Sequence, residues 1–274
     1  MSSSRERWPS FWAEKMRQRL TAVSRALLVV LWVLAFTVPS ECAGGFIHHP
    51  VVAVIVDDLG FSMDAARRLS SIPLPLTWAI IPYQRHSRAT AEMASELGIP
   101  FIVHMPMEAK GFPGDPHALV RAGMAPEEVR ASVRNALWSL PGATGLNNHQ
   151  GSRATEDPRA MEGVMLELRA EGLLFVDSRT SGGSVAYPLA LDSGLPATQN
   201  KVFLDHYNGE AFLQEQFRKT FAMARKDGGA VAICHARPGT LDFLPKLYEM
   251  APEDIEFVTV PEYLAHKRIG GWEE

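Results

Sequence analysis

The sequence predicts an α/β protein built as a closed or nearly closed barrel of strands wrapped in helices. Three observations predict it. Residues Val51 to Val56 form a continuous apolar, mostly β-branched run, which reads as a strand buried on both faces, as in a parallel sheet. Seven or eight strand-like segments alternate with helix-like ones. Packed into roughly 225 residues, that alternation implies a parallel sheet covered by helices, closed rather than open. Carboxylates or imidazoles follow six of the strand-like segments, and in βα folds the C-terminal strand ends carry the active site.

The elements follow in order. The opening strand runs into Asp57-Asp58 and Gly60, and a helix is expected from Ser62 to Ser71. Leu76 to Ile81 is the second strand, stopped by Pro82; Ser87 to Leu97 is a helix ended by Gly98; Ile99 to Val103 is the third strand. Ala109 to Gly123 is rich in Gly and Pro and reads as a loop. Pro126 opens a helix with Val129, Val133, Leu137 and Leu140 near four-residue spacing, closed by Pro141-Gly142. A short strand, Ala143 to Asn147, leads to a helix capped by Asp157-Pro158, in which Met161, Val164, Met165 and Leu168 share one face until Gly172. Leu173 to Val176 and Lys201 to Leu204 are strands. Gly209 to Lys226 is a helix with Leu213, Phe217 and Phe221 on one stripe. Gly229 to Cys234 is an apolar strand, Leu241 to Glu249 a helix, and Glu256 to Val260 the last strand.

The amino end differs from the rest. Residues 1–25 hold six Lys/Arg against Glu6 and Glu14, a net +4, which leaves −8 for the remainder of a chain whose formal charge is −4. A basic start followed by an apolar stretch from Ala26 to Val38 is the pattern of a secretory signal. Residues 1–45 are therefore expected to be a signal peptide or an N-terminal membrane anchor, with Val38 and Ser40 at −3 and −1 of a cleavage site. Residues 46–268 form the domain, exported to the periplasm or held on the inner membrane facing it. Membrane contact is expected only through the N-terminal segment if it stays uncleaved. The acidic domain argues against nucleic acid as a partner. Cys42 lies beside the processing region and Cys234 in an apolar run, so Cys234 reads as an inert core thiol.

Two adjacent acids at a buried strand end are costly unless paired, hydrogen-bonded or bound to a metal. Helix capping needs only one carboxylate, so capping does not explain Asp57-Asp58, whereas it remains an open reading for Asp177 and Asp205. His104 follows the third strand, with Glu108 at the spacing of a helical ligand pair, although Pro106 disfavours a helix there. Glu108 is either a ligand or a loop brace. The polar exit Asn147-Asn148-His149-Gln150-Gly151-Ser152-Arg153 offers His149 as a third ligand, with Asn148, Ser152 and Arg153 as orienting neighbours. Asp177 and Arg179, at the next strand end, are further candidates, and His235 ends the late apolar strand. Mixed Asp/His ligation suits a divalent cation, Zn2+ first. Three protein ligands would leave a place for water, with a carboxylate to take its proton and a histidine to protonate the leaving group.

These segments carry a resemblance. Ile55–Gly60, His104–Glu108, Asn147–Ser152, Phe175–Thr180, Val202–Asp205 and Ile233–His235 together resemble the divergent polysaccharide deacetylase family. That family is a distant branch of the polysaccharide deacetylases, the NodB-homology family 4 carbohydrate esterases. The resemblance covers about Val51 to Val260 and implies a distorted (β/α)7 barrel with a divalent metal. It implies Asp57 as catalytic base, Asp58 and His104 as metal ligands, and His235 as acid. Polysaccharide deacetylases carry a second metal histidine four residues after the first; Glu108 stands there instead. The third ligand then passes to His149, favoured here, or to Glu108. The arginine that braces the base in that family is not visible in its usual form, and Arg153 or Arg179 stands as a replacement. The implied activity is exported, metal-dependent hydrolysis that removes acetyl groups from an envelope glycan or peptidoglycan-type amino sugar. The alternative is a non-catalytic periplasmic metal-binding or glycan-binding scaffold on the same fold.

Overall fold

The computed structural model describes residues 49–112 and 114–270. The targeting segment expected over residues 1–45 lies outside the described residues. The chain runs β1 (Val51–Leu59), α1 (Met63–Ser70), β2 (Leu76–Ile80), α2 (Ser87–Glu96), β3 (Phe101–Met107), α3 (Pro126–Ser139), β4 (Gly145–Gln150), α4 (Pro158–Glu171) and β5 (Leu174–Asp177). It continues through α5 (Ala186–Asp192), β6 (Ala197–Gln199), β7 (Val202–Phe203), α6 (Glu210–Asp227), β8 (Gly229–His235), α7 (Pro238–Met250), β9 (Glu256–Val258) and α8 (Val260–Gly270). Local chemistry sets several of these ends. Ser62 caps α1 by accepting from the N–H groups of Asp64 and Ala65. Asp157 caps α4 in the same way, and Gly172, at φ 67°, ends it in the left-handed conformation.

Pairing is parallel throughout, in the order β6-β5-β4-β3-β2-β1-β8-β7. The two ends of that row, β6 and β7, are successive in the chain. The Asn200 N–H between them donates to Asp177 O, and the Lys201 N–H to Val231 O. One stretch thus leans on β5 with its first half and on β8 with its second, and the row returns on itself. β9 pairs with Val51–Ala53 of β1, on the edge that β2 takes from Val54 onward. Counting β6–β7 as one strand and leaving β9 outside the ring gives the distorted (β/α)7 barrel.

Strand alternation sorts the core into two layers. Val51, Ala53 and Ile55 of β1 face inward with Ile102, Val176, Val231 and Ile233, and Tyr263 of α8 packs among them. Val52, Val54 and Val56 face outward into the helix-covered layer with Val103, Phe175 and Ala232. Each such aliphatic side chain contributes roughly 1.5–3 kcal/mol by leaving water. Cys234 is a buried free thiol whose Sγ lies 3.6 Å from Ile55 O, and burial pushes its pKa well up.

Several strand ends differ from expectation: β1 continues past Val56 to Leu59, and β7 keeps only Val202–Phe203 of the expected Lys201 to Leu204. β3 and β4 run on through His104 and through Asn147-Asn148-His149. Polar side chains are admitted there because they meet one another inside the barrel. The last strand stops at Val258, and Val260 already belongs to α8. α5, β6 and α8 were not expected. α5 is seven residues long with Pro188 inside, and β6 has three residues, too few for a period to register.

α3 and α4 meet where α4 has no side chain: a Cβ on Gly163 would lie 2.7 Å from Pro126 O and from Val129 Cβ. Beside this contact Glu167, buried, receives Arg130 and Arg134 from α3. Gly163→Ala should force the helices apart and cost about 1–3 kcal/mol. Urea unfolding would show the lower midpoint; an unchanged midpoint would contradict this packing.

Candidate metal centre

On a regular strand two adjacent residues point to opposite faces. Asp57 has the parity of Ala53 and Ile55, so it faces the barrel interior; Asp58 should face out. The register of β1 against β2 shifts between Val56 and Leu59, and Asp58 adopts φ 64°. The bulge turns the second carboxylate back towards the mouth. The same parity puts His104 of β3, Asn147 and His149 of β4, and His235 of β8 inside. His104 and Asn147 are register partners, as are Asp57 and His235.

Three donor atoms converge there. Asp58 Oδ1 lies 3.3 Å from His104 Nε2 and 3.1 Å from His149 Nδ1, and those two nitrogens are 3.1 Å apart. Tetrahedral zinc, with bonds of about 2.0–2.1 Å, separates its ligand atoms by roughly 3.3–3.4 Å. The triangle is therefore close to one face of such a site. Asp58 Oδ1 is also buried without a hydrogen-bond partner, a costly state that a cation relieves. Among the described residues, Asp58, His104 and His149 form the group of His, Cys, Asp and Glu side chains able to hold an ion. The donor set fits a divalent metal.

Charge in the cluster is strongly coupled. Burial pushes the Asp57 carboxyl up, against the opposing pull of His104, Asn147 and His235. Burial would also raise Asp58, but the His104 and His149 imidazoles beside it hold it well below the usual carboxylate range. Burial works to lower His104, while Asp57 and then Asp58 raise it. Asp57 Oδ2 stands 3.5 Å from His104 Nε2.

A second pair stands beside Asp57, at the end of the neighbouring β8. His235 Nδ1 bonds Asp205 Oδ1 at 2.8 Å, while Asp205 Oδ2 accepts from the His235 N–H and the Thr240 hydroxyl. Burial would lower His235, but the Asp205 bond and charge raise it. Asp205 is thus committed to His235 and does not cap α6, whose N-cap is Gly209. Arg237 joins this corner by donating to Asp205 O at 3.0 Å. A cavity of about 420 Å3 joins Asp57, Asp58, His104, His149, Ser178, His235 and Arg237.

Of the other expected site residues, Asn148 also lines this cavity, while Glu108, Ser152, Arg153, Asp177 and Arg179 are not among its lining residues. Glu108 accepts from the N–H groups of Gly114 and Ala122 and has Arg153 at 3.7 Å, so it braces the loop. Its spacing from His104 failed as a ligand signal because β3 is extended, which sets the two about 13 Å apart along the strand. Asp177 has outward parity and accepts from Arg179 N–H, Ser184 hydroxyl and Tyr187 N–H, tying the loop that leads into α5. Arg179 reaches Ser184 O, Ser152 accepts from Lys110 N–H, and Asn148 bridges Gln150 O and Ser178 N–H. These residues shape the rim. Neither Arg153 nor Arg179 takes the place beside Asp57; Asn147 does, donating to Asp57 Oδ1 at 2.9 Å. Sequence reasoning missed the functional placement of Asn147, Asp205 and Arg237. The only signal for Asn147 was its parity with His149.

A ring of seven parallel strands with its polar cluster at the carboxyl ends is a βα barrel whose candidate site lies at the mouth. The family model described as divergent polysaccharide deacetylase matches residues 54–264, and the chain belongs to that family. An uncharacterised protein of Haemophilus influenzae is 35% identical over 218 residues, covering 80% of this chain and 78% of its own. The uncharacterised protein YibQ of Escherichia coli K12 is 30% identical, covering 80% and 68%. Among solved structures, an uncharacterised protein of Agrobacterium tumefaciens superposes with a TM-score of 0.74 at 23% identity, over 78% of this chain and 89% of that one. A putative cellobiose-phosphate cleavage protein of Enterococcus faecalis gives 0.55 at 12% identity, over 78% and 99%. These two likenesses concern the fold.

If the three converging atoms are the ligands, Asp58→Ala, His104→Ala and His149→Ala should each lose most bound zinc, while Glu108→Gln keeps it. Metal analysis of dialysed protein reads this directly. Stoichiometric metal in all three alanine variants would contradict the assignment.

Proposed function

We propose that this chain is an exported, zinc-dependent deacetylase that cleaves the amide of an N-acetylated amino sugar in an envelope glycan. One observation carries the reading: a buried carboxylate, Asp57, stands beside a convergent Asp58/His104/His149 triangle, with an Asp-held histidine, His235, on the neighbouring strand.

Asp58, His104 and His149 would hold the ion. When bound, it supplies Lewis-acid polarisation and lowers the pKa of a water. Asp57 Oδ2 faces the cluster and takes the proton from the attacking water, and its raised pKa makes that transfer favourable. Asp205 fixes His235 through Nδ1, which leaves Nε2 to hand a proton to the departing sugar nitrogen. The barrel wall buries Asp57 and His104, so competing bulk water is kept from the proton path.

A glycan fits the surroundings. A second cavity of about 570 Å3 shares His149 and Gln150 with the first. Phe61 and Tyr83 line it with more than half of each residue exposed. Exposed aromatic faces beside convergent polar groups suit the apolar faces and hydroxyl edges of a sugar. Export rests on the basic and apolar pattern of residues 1–45.

Acetate release from acetylated chitooligosaccharides and peptidoglycan fragments, assayed with zinc, tests the reading. Asp57→Asn should keep the metal and lose about 10²–10⁴-fold in rate, the ordinary contribution of a general base. A zinc-loaded protein that releases acetate from none of these substrates would favour the scaffold alternative. The alkaline limb of kcat/KM gives an independent check. His235 must be protonated to act as acid, so rate falls as pH rises through its raised pKa. Asp205→Asn removes the carboxylate that raises it and should move that limb to lower pH; an unmoved limb would remove His235 from the acid role.

A further inference from the structure

Asn147 is fully buried in β4, and its amide makes three contacts. Oδ1 lies 2.8 Å from His104 Nδ1, while Nδ2 lies 2.9 Å from Asp57 Oδ1 and 3.2 Å from Ser178 Oγ. The chemistry of the partners fixes which way the amide points. An ionised carboxylate accepts only, so the NH2 must face Asp57 and the carbonyl must face His104. The carbonyl then demands a proton on His104 Nδ1. In neutral His104, Nε2 is consequently left as a bare lone pair aimed at Asp58 and His149. The NH2 meanwhile engages Asp57 Oδ1 and leaves Oδ2 turned towards the cluster.

We infer that Asn147 is a positioning residue that sets two groups at once: the metal-binding tautomer of His104 and the orientation of the Asp57 carboxylate. This rests on the metal-centre reading above and adds a residue to it. A primary amide supplies the acceptor for His104 and the donor for Asp57 from separate atoms that point to the two partners. A carboxylate at this position keeps the acceptor for His104 but loses the donor to Asp57. An isosteric leucine loses both.

Side-chain nitrogen NMR of metal-free wild-type protein, at a pH where His104 is neutral, reads the tautomer directly. His104 should carry its proton on Nδ1; a proton on Nε2 would overturn the inference without any variant. Zinc affinity by chelator competition supplies the second reading. Asn147→Leu should weaken binding about 10–100-fold, the usual effect of losing a partner that orients a metal histidine. Asn147→Asp should restore affinity towards wild type yet still lose acetate release, because Asp57 is no longer held. Folded Asn147→Leu protein with wild-type affinity, or Asn147→Asp protein as weak as Asn147→Leu, would contradict the inference. These affinities and the tautomer do not depend on turnover. If they follow the expected order while no glycan releases acetate, Asn147 keeps its role and the deacetylase reading falls.

Discussion

Strand parity is the constraint on which the rest of this structure depends. A barrel of parallel strands gives each strand one inward face, and two neighbouring residues cannot both use it. Asp57 and Asp58 both reach the mouth because β1 shifts register between Val56 and Leu59 and Asp58 takes a left-handed backbone. Without that bulge Asp58 would point into the outer apolar layer beside Val56, where a carboxylate has nothing to bond. The strain is local and belongs to a pattern. The other non-glycine residues at positive φ among those described are Tyr83, Gln150 and Arg179. They follow β2, end β4 and follow β5, so the departures collect at the rim, where functional strain is commonly stored.

Inside that rim the polar groups are satisfied by one another. Asp57 is desolvated, and the His104 charge and the Asn147 amide offset part of that cost. His104 has Asn147 on one nitrogen and the Asp58 and His149 atoms on the other. His235 has Asp205, which in turn has Thr240. Asp58 Oδ1 is the buried atom left over, and it sits where the donor atoms converge. A cluster so closely coupled resists single substitution: removing one partner exposes the buried charge of another. Residues at the rim, such as Glu108 and Asp177, instead hold loop backbone.

Much of this was legible from the sequence because parallel strands write long apolar runs whose ends stand out. Asp57-Asp58, His104 and His235 stand out as polar breaks after such runs, His149 stands out in the polar exit of a short strand, and the alternation around them announces a barrel. What failed had physical reasons. Glu108 was weighed as a ligand because His104 and Glu108 have helical spacing, but β3 is extended there. Asp177 was a site candidate, yet its parity sends it outward to Ser184 and Tyr187. Asp205 resembled a helix cap because long-range pairing with His235 leaves no local trace. Asn147 was read as a neighbour of His149, when its importance lies in contacts 43 and 90 residues away in the chain.

The central claim is that Asp58, His104 and His149 surround a divalent ion while Asp57 stays outside its ligand shell and free to move a proton. Anomalous diffraction from zinc-loaded crystals tests it most directly. One ion should appear within about 2.0–2.2 Å of Asp58, His104 and His149, with Asp57 beyond bonding distance. An ion bound through Glu108, or one bonded to Asp57, would contradict the claim.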